Sequence, residues 1–92
     1  MYEKDIENAV CKYAREKGLL AYKFVSPNTV GVPDRIFFAP GGGMFMIEFK
    51  RPGGKMTPSQ ERTFIKLSGM GFDVYVIDDV DAGKRVINGH LS

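Results

Sequence analysis

The alternation of apolar and polar residues predicts one amphipathic helix followed by three strands in the first half of the chain. Apolar residues recur every three or four positions over residues 3–17, which indicates a helix that Gly18 would end. Apolar runs and period-two alternation then predict strands over residues 19–26, 35–38 and 44–50. Segments rich in glycine and proline separate these strands, as expected for turns.

The second half of the chain adds a helix, a strand and a short last helix. Thr57, Pro58 and Gln60 form a capping-box pattern, with the threonine before the helix and the proline in its first turn. The other expected features are an end of this helix at Gly69 or Gly71, a strand over residues 72–77, and a last helix from Asp78 or Asp79 through Ile87. The order α-β-β-β-α-β-(α) predicts an α/β fold of the α+β type with a mixed sheet.

Composition indicates one small globular domain over residues 1–92. The hydrophobic fraction is 43% and includes seven phenylalanines, which is enough for a packed core. A single cysteine, Cys11, excludes an intrachain disulfide and fits a reducing compartment. No apolar run is long enough to cross a bilayer, so we expect no membrane partner. The net charge of +2 permits a polyanionic partner without arguing for one.

The third predicted strand carries the candidate chemistry. Residues two apart in a strand project to the same face, so Glu48 and Lys50 share one face while Ile47 and Phe49 share the other. Unlike charges in an apolar strand are costly unless they are satisfied or used. Glu48 could form a divalent-metal site with Asp34, which lies at the head of the preceding strand, and Lys50 would then lie beside the ion. The alternative is a simple Glu48–Lys50 salt bridge, with Asp34 capping a turn.

The register of the predicted hairpin determines whether Asp34 reaches this face. Cross-strand partners share a face, so the numbers of paired residues must sum to an even value for Asp34 to join Glu48. A four-residue loop that pairs Ala39 with Met44 has the wrong parity, whereas a three- or five-residue loop or a bulge corrects it. Three consecutive glycines at 41–43 favour a bulged three-residue loop, because glycine adopts left-handed backbone easily.

Three motifs give the chain a resemblance to the VRR-NUC family of the PD-(D/E)xK nuclease superfamily. These motifs are Gly31-Val32-Pro33-Asp34, Glu48-Phe49-Lys50 and Thr57-Pro58-Ser59-Gln60, behind a helix that carries Glu7. The likeness covers nearly the whole chain, including the order of its elements. It implies a restriction-endonuclease-like core.

The resemblance implies a role for each motif residue. Asp34 and Glu48 would be metal ligands, with the backbone carbonyl of Phe49 as a third and Mg²⁺ or Mn²⁺ as the ion. Lys50 would be the catalytic lysine, and Gln60 the motif glutamine near the site.

An acidic residue of the first helix would complete the site through metal-bound water. Helical periodicity does not decide between Glu3 and Glu7. We expect Glu7, because its distance to Gly18 resembles the corresponding helix of archaeal Holliday-junction resolvases, which are relatives.

The activity that the resemblance implies is metal-dependent endonuclease cleavage of DNA. We expect a structure-selective enzyme that hydrolyses phosphodiester bonds in junctions, flaps or branched DNA and leaves 5′-phosphate ends. The chain resembles the stand-alone phage forms of the family, which implies a homodimer in the cytoplasm of a bacterial host. The basic residues expected to contact the DNA backbone are Arg35, Arg51, Lys55 and Arg62. The alternatives are a catalytically idle nucleic-acid-binding module and a subunit of a larger phage complex.

Overall fold

The computed structural model describes residues 1–91 and contains the seven elements that the sequence predicts. They are α1 (Glu3–Glu16), β1 (Leu20–Lys23), β2 (Arg35–Phe38), β3 (Met44–Phe49), α2 (Pro58–Gly69), β4 (Val74–Ile77) and α3 (Val80–Gly89). Strands β1 and β4 are shorter than predicted, whereas both predicted helix caps, Thr57 and Asp79, are confirmed by side chains that accept backbone N–H bonds. The predicted α+β class is also confirmed. No helix in this part of the chain is long and apolar enough to cross a membrane.

The four strands form one mixed sheet in the order β1-β2-β3-β4. The first three strands are antiparallel neighbours, and β4 runs parallel to β3. Parallel neighbours need a crossover connection, and α2 provides it. The strand with the candidate charges therefore lies inside the sheet, with a neighbour on each side.

The β2–β3 hairpin has the register that the candidate site requires. Phe38 pairs with Met44, which leaves five residues between the strands and makes the paired numbers sum to an even value. The N–H of Ala39 donates to the carbonyl of Gly43 at 2.7 Å, so the pairing continues to a turn of three residues. Two of these, Gly41 and Gly42, have φ of 91° and 94°, where a side chain would be strained. The expectation of an odd-length loop is confirmed.

One face of the sheet forms the hydrophobic core under α1 and α3. Phe45, Ile47 and Phe49 of β3 are fully buried there. The two helices cross closely at Gly83: a Cβ added to this residue would lie only 2.4 Å from a methyl carbon of Val10. Glycine within a helix ordinarily weakens it, but at position 83 it permits tight packing between α1 and α3. The other core residues that pack here are Ile6, Val10, Cys11, Ala14, Leu19, Ala21, Phe37, Ile77 and Ile87.

The opposite face of the sheet is covered only in part. Helix α2 lies over β3 and β4, where Phe64 approaches Val74, but none of its residues is fully buried. Met70, at the C-terminal cap of this helix, is 76% exposed. Within residues 1–91, no helix lies over the same face of β1 and β2, which exposes apolar side chains, among them Leu20, Tyr22 and Phe38.

Candidate active site

A glycine turn places Asp34 beside the start of α2. Gly31 has a φ of 87°, and a Cβ at this position would lie 2.5 Å from the backbone oxygen of Ser59. Only glycine allows both the backbone conformation and this close approach. The turn can therefore bring Asp34, from one motif, against the first turn of the helix that carries Gln60.

Pro33 interrupts the hydrogen bonding between β2 and β3 opposite Phe49. The β2–β3 register, continued past Arg35 and Ile47, places Pro33 opposite Phe49. Proline has no N–H, so the Phe49 carbonyl receives no ladder hydrogen bond from that position. The Phe49 N–H donates instead to the Asp34 carboxylate, Oδ2, at 2.8 Å. The proline–aspartate pair thus interrupts the ladder, fixes one carboxylate and leaves a carbonyl oxygen without its ladder donor.

Glu48 is a buried carboxylate with one satisfied and one unsatisfied oxygen. The residue is only 4% exposed. Its Oε2 accepts a hydrogen bond from Gln60 Nε2 at 2.9 Å and lies 3.2 Å from the Lys50 ammonium. Its Oε1 is buried and has no hydrogen-bond partner among the described residues. A buried oxygen without a donor is costly, which makes it a natural position for a cation.

Gln60 joins the cap of α2 to the charged strand. Its Oε1 accepts from the Thr57 N–H at 2.9 Å and from Lys50 Nζ at 2.8 Å. Its Nε2 donates to Glu48, so every polar atom of the amide has a partner and the orientation of the amide is determined. The Gln60 side chain therefore both caps α2, as predicted, and contacts the charged residues of the candidate site.

Both strand carboxylates are destabilised as anions. The pKa of Glu48 is raised to about 7, mainly by burial and also by the nearby Asp34 charge, although the hydrogen bond from Lys50 opposes the shift. The pKa of Asp34 is also raised, mainly by burial, and the Phe49 N–H opposes this effect. Charges held apart from water in this way would be stabilised by a bound cation.

The structure brings a third carboxylate, that of Glu3, to this pair. Oxygen atoms of Glu3, Asp34 and Glu48 all lie within 4.8 Å of one another. Glu3 is the first residue of α1, whose start lies against the end of β3. Three carboxylates in this arrangement form an oxygen donor set of the type that hard divalent cations prefer.

Glu7, the expected helix glutamate, points into a different cluster. Its Oε2 lies 2.6 Å from Arg35 Nε and 3.6 Å from Lys23 Nζ. Arg35 also donates to the carbonyl of Ala21, and only 12% of its side chain is exposed. The geometry therefore does not support Glu7 as the third carboxylate, and Arg35 is engaged inside the protein rather than free at the surface. Both roles stay predictions.

The other basic candidates are exposed. Arg51 and Lys55 lie in the loop after β3, next to Lys50, while Arg62 lies on α2 and donates to Ser59 Oγ at 3.3 Å. Sequence reasoning missed Tyr2 and Lys4, which line the same pocket as Lys50. They precede or lie outside the apolar stripe of α1, so the periodicity that located the helix contains no signal for them.

A sequence profile of the VRR-NUC domain matches residues 3–80, which is most of the chain. The chain belongs to the VRR-NUC family. It is 43% identical over 79 residues to "Putative nuclease p44" of Acyrthosiphon pisum secondary endosymbiont phage 1, an alignment that covers 86% of this chain and 85% of the relative. A solved structure described as "VRR_NUC domain" superposes with a TM-score of 0.88 at 21% identity, covering 96% of both chains.

Family membership changes how the polar face of the sheet is interpreted. VRR-NUC is a nuclease domain family, and such domains generally use divalent metals. The similarity to the solved structure is at the level of the fold. The three carboxylates, Lys50 and Gln60 therefore form the candidate active site of a nuclease domain rather than an isolated buried salt bridge.

Proposed function

We propose that this VRR-NUC protein is a Mg²⁺- or Mn²⁺-dependent endonuclease that hydrolyses phosphodiester bonds in structured DNA. The observation that carries the proposal is the network in which Glu48 contacts both Lys50 and Gln60. Its second oxygen is buried with no donor among the described residues, and its carboxylate lies within 4.8 Å of the Asp34 and Glu3 carboxylates. An inert salt bridge would satisfy both oxygens of a buried carboxylate. The relative named "Putative nuclease p44" supports the coarser conclusion that the protein is a nuclease.

The residues present fit a hard divalent cation. Asp34, Glu48 and the Phe49 carbonyl would hold it, with Glu3 adding a fourth oxygen either directly or through water. The donor set contains only oxygen, and burial raises the pKa of both Asp34 and Glu48, so a bound cation would stabilise their charged forms. When bound, the ion supplies a Lewis acid that polarises a phosphoryl oxygen and lowers the pKa of a bound water.

Lys50 is placed to stabilise charge on the phosphate during cleavage. Its ammonium has three donors, of which Gln60 and Glu48 engage two. One donor remains for a phosphoryl oxygen or for the attacking water. The two partners fix the direction of that donor before substrate arrives, which is the condition for effective electrostatic stabilisation. Attack of water on phosphorus would leave a 5′-phosphate and a 3′-hydroxyl.

The surface around the site suits recognition of the DNA backbone. Arg51 and Lys55 are exposed and line a pocket with Lys50, and Arg62 is exposed on α2 next to Ser59. A domain of this size offers little surface for contacts to base edges, so shape and phosphate contacts are expected to determine selectivity. We therefore propose action on structured DNA, in the cytoplasm of the bacterial host that the phage origin of the relative suggests.

The bare part of the sheet supports the proposal of a homodimer. Leu20 and Phe38 are cross-strand partners, Tyr22 lies beside them, and 40–55% of each residue is exposed. A second copy of the chain would cover this apolar face on both subunits. Light scattering at micromolar concentration is expected to give twice the monomer mass. Tyr22→Lys is expected to give a monomer, and a monomeric parent would contradict the proposal.

A cleavage panel tests the nuclease function directly. Labelled single strands, blunt duplexes, flaps, forks and four-way junctions are incubated with Mg²⁺, Mn²⁺ or EDTA. Cleavage is expected only with metal and preferentially in structured DNA. Asp34→Asn is expected to abolish cleavage and to lower Mn²⁺ affinity in titration calorimetry, while Asp73→Asn, which alters an exposed aspartate outside the site, retains both. Metal-independent DNA binding without any cleavage would instead support the idle binding module.

A further inference from the structure

A pocket opens beside the active site, between the start of α1 and the loop after β3. Its volume is about 450 Å³. Glu3 and Lys50 belong both to its wall and to the candidate active site. The residues that complete the wall include Tyr2, Lys4, Arg51 and Lys55. Whatever occupies this pocket would therefore lie next to the phosphate that the site acts on.

The pocket is strongly positive. Its wall includes four cations, of which Lys50 is paired with Glu48 and Gln60. Among residues 1–91, no carboxylate lies within 4.0 Å of the charged groups of Lys4, Arg51 or Lys55. Three cations without close counter-ions around one opening favour an anionic ligand with more than one charge, as consecutive phosphates of a nucleic acid strand would be.

Tyr2 adds an aromatic surface to this positive wall. Its backbone is held at the start of α1, because its carbonyl accepts from the N–H groups of Asp5 and Ile6 and its N–H donates to the Asp5 carboxylate. The residue is nevertheless 81% exposed. An exposed aromatic ring on a fixed backbone, among unpaired cations, is the combination by which proteins bind unpaired nucleotides, through base stacking and phosphate contacts.

The opposite wall of the pocket is also held in place. The Gly54 N–H donates to the carbonyl of Arg51 at 2.8 Å, and the Gly53 N–H donates to the Asp78 carboxylate at 3.2 Å. A Cβ on Gly54 would lie 3.0 Å from the Arg51 carbonyl oxygen. The loop that presents Arg51 and Lys55 is therefore tied to the end of β4 and positioned across from Tyr2.

We propose that this pocket binds one unpaired nucleotide adjacent to the cleaved phosphate. The base stacks on Tyr2, and the neighbouring phosphates contact Lys4, Arg51 and Lys55. This inference rests on the proposed nuclease function. It identifies this pocket as the part of the protein that selects structured DNA. DNA with an unpaired nucleotide at the point of cleavage fills the pocket, whereas an intact duplex keeps its bases stacked on one another.

Binding measurements without cleavage test the pocket. Ca²⁺ replaces Mg²⁺, and the DNAs are a single strand, a flap and a blunt duplex, each with one 2-aminopurine whose fluorescence falls on stacking. Tyr2→Ala is expected to weaken binding of the single strand and the flap by about fivefold or more, the loss expected for one base–aromatic stack, and to restore fluorescence. Tyr2→Phe retains the ring and should bind as the parent does. Phe72→Ala removes an exposed aromatic residue outside the pocket and serves as the matched control.

The lysines are tested by the salt dependence of binding. Lys4→Ala and Lys55→Ala should each reduce the slope of log affinity against log salt by about one unit, because each removes one phosphate contact. Lys12→Ala removes an exposed lysine of the same helix as Lys4 and should leave the slope unchanged.

The outcomes separate this inference from the nuclease proposal. If Tyr2→Ala binds all three DNAs as the parent does, or weakens the duplex as much as the flap, the pocket assignment is overturned even when the parent cleaves with Mg²⁺. If binding depends on Tyr2 as expected but no metal supports cleavage, the pocket assignment survives and the nuclease proposal fails. A parent that binds none of the DNAs overturns both.

Discussion

The two faces of β3 are almost equally buried but are stabilised in different ways. On the core face, the side chains of Phe45, Ile47 and Phe49 are fully buried and belong to the hydrophobic core. On the opposite face, Glu48 is 4% exposed and keeps one carboxylate oxygen without a partner. The first face gains free energy from burial, whereas the second loses it by holding charge out of water. Burial alone therefore does not distinguish a core from an active site; unsatisfied polar groups do.

The largest expected effect comes from breaking the core face. Phe45 stacks on Phe37 with ring centroids 4.9 Å apart and on His90 at 4.1 Å. Phe45→Ala is expected to lower the free energy of unfolding by about 3–5 kcal/mol, because it leaves a cavity in a small core. Val76→Ala, on the polar face and 38% exposed, is expected to cost about 1 kcal/mol or less. Urea denaturation measures both, and equal losses would contradict the comparison.

The metal-free protein is expected to lose stability as pH rises, because the Glu48 carboxyl on the polar face becomes charged. The Glu48 carboxyl has a pKa of about 7 when folded and an ordinary value of 4.5. Between these values the folded state binds more protons than the unfolded state, so the free energy of unfolding falls with rising pH. The stabilisation is complete below about pH 4.5 and is lost as pH passes through 7, with a size of up to about 3 kcal/mol.

Glu48→Gln isolates this pH effect, because glutamine resembles the protonated acid. In EDTA, the variant is expected to match the parent near pH 5 and to be more stable than the parent at pH 8. Urea denaturation over this range makes the comparison, with the exposed Glu61→Gln as the control for removing one carboxylate. A parent and a Glu48→Gln variant that lose stability in parallel from pH 5 to pH 8 would show that Glu48 is not the group responsible.

A smaller effect is expected from removing the charge of Lys50. Lys50→Met keeps the apolar stem, so the metal affinity should stay near normal while kcat falls by about 10², the scale for one electrostatic group at a reacting centre. Glu48→Gln should instead lose metal affinity and turnover together. Single-turnover cleavage and titration calorimetry separate the two results, and Lys12→Met controls for the loss of a surface lysine. If kcat of Lys50→Met equals that of the parent, Lys50 serves only as a salt-bridge partner of Glu48.

The smallest expected effect distinguishes the two glutamates of α1. Glu3→Gln is expected to lower metal affinity by about tenfold, since its carboxylate belongs to the acidic cluster. Glu7→Gln is expected to leave metal affinity within about twofold and to lower stability instead, because it leaves the buried Arg35 with a weaker partner. Calorimetry with Mn²⁺ and urea denaturation make the comparison. A loss of metal affinity in Glu7→Gln but not in Glu3→Gln would instead identify Glu7 as the helix carboxylate of the metal site.

Local sequence patterns predicted the elements and the polar strand because both depend on short-range rules. The alternation along β3 separates Glu48 from Ile47 by the geometry of any extended chain. The capping box at Thr57 depends only on hydrogen bonds within one helical turn. The parity argument required one further quantity, the length of the glycine loop, and three glycines in a row supported the correct choice.

Tertiary packing decided what these rules could not. Glu3 and Glu7 lie one turn apart on one helix, so their difference depends on where α1 begins relative to the end of β3. The close contact between Gly83 and Val10 helps to set that position, and the two residues are far apart in the chain. The same packing turns Arg35 inward to Glu7 and leaves Tyr2 exposed beside Lys50. The sequence by itself determined which residues share a strand face or a helical turn, because those relations are local. The placement of one helix end against one strand end, which completes the site, follows only from the packing of the whole core.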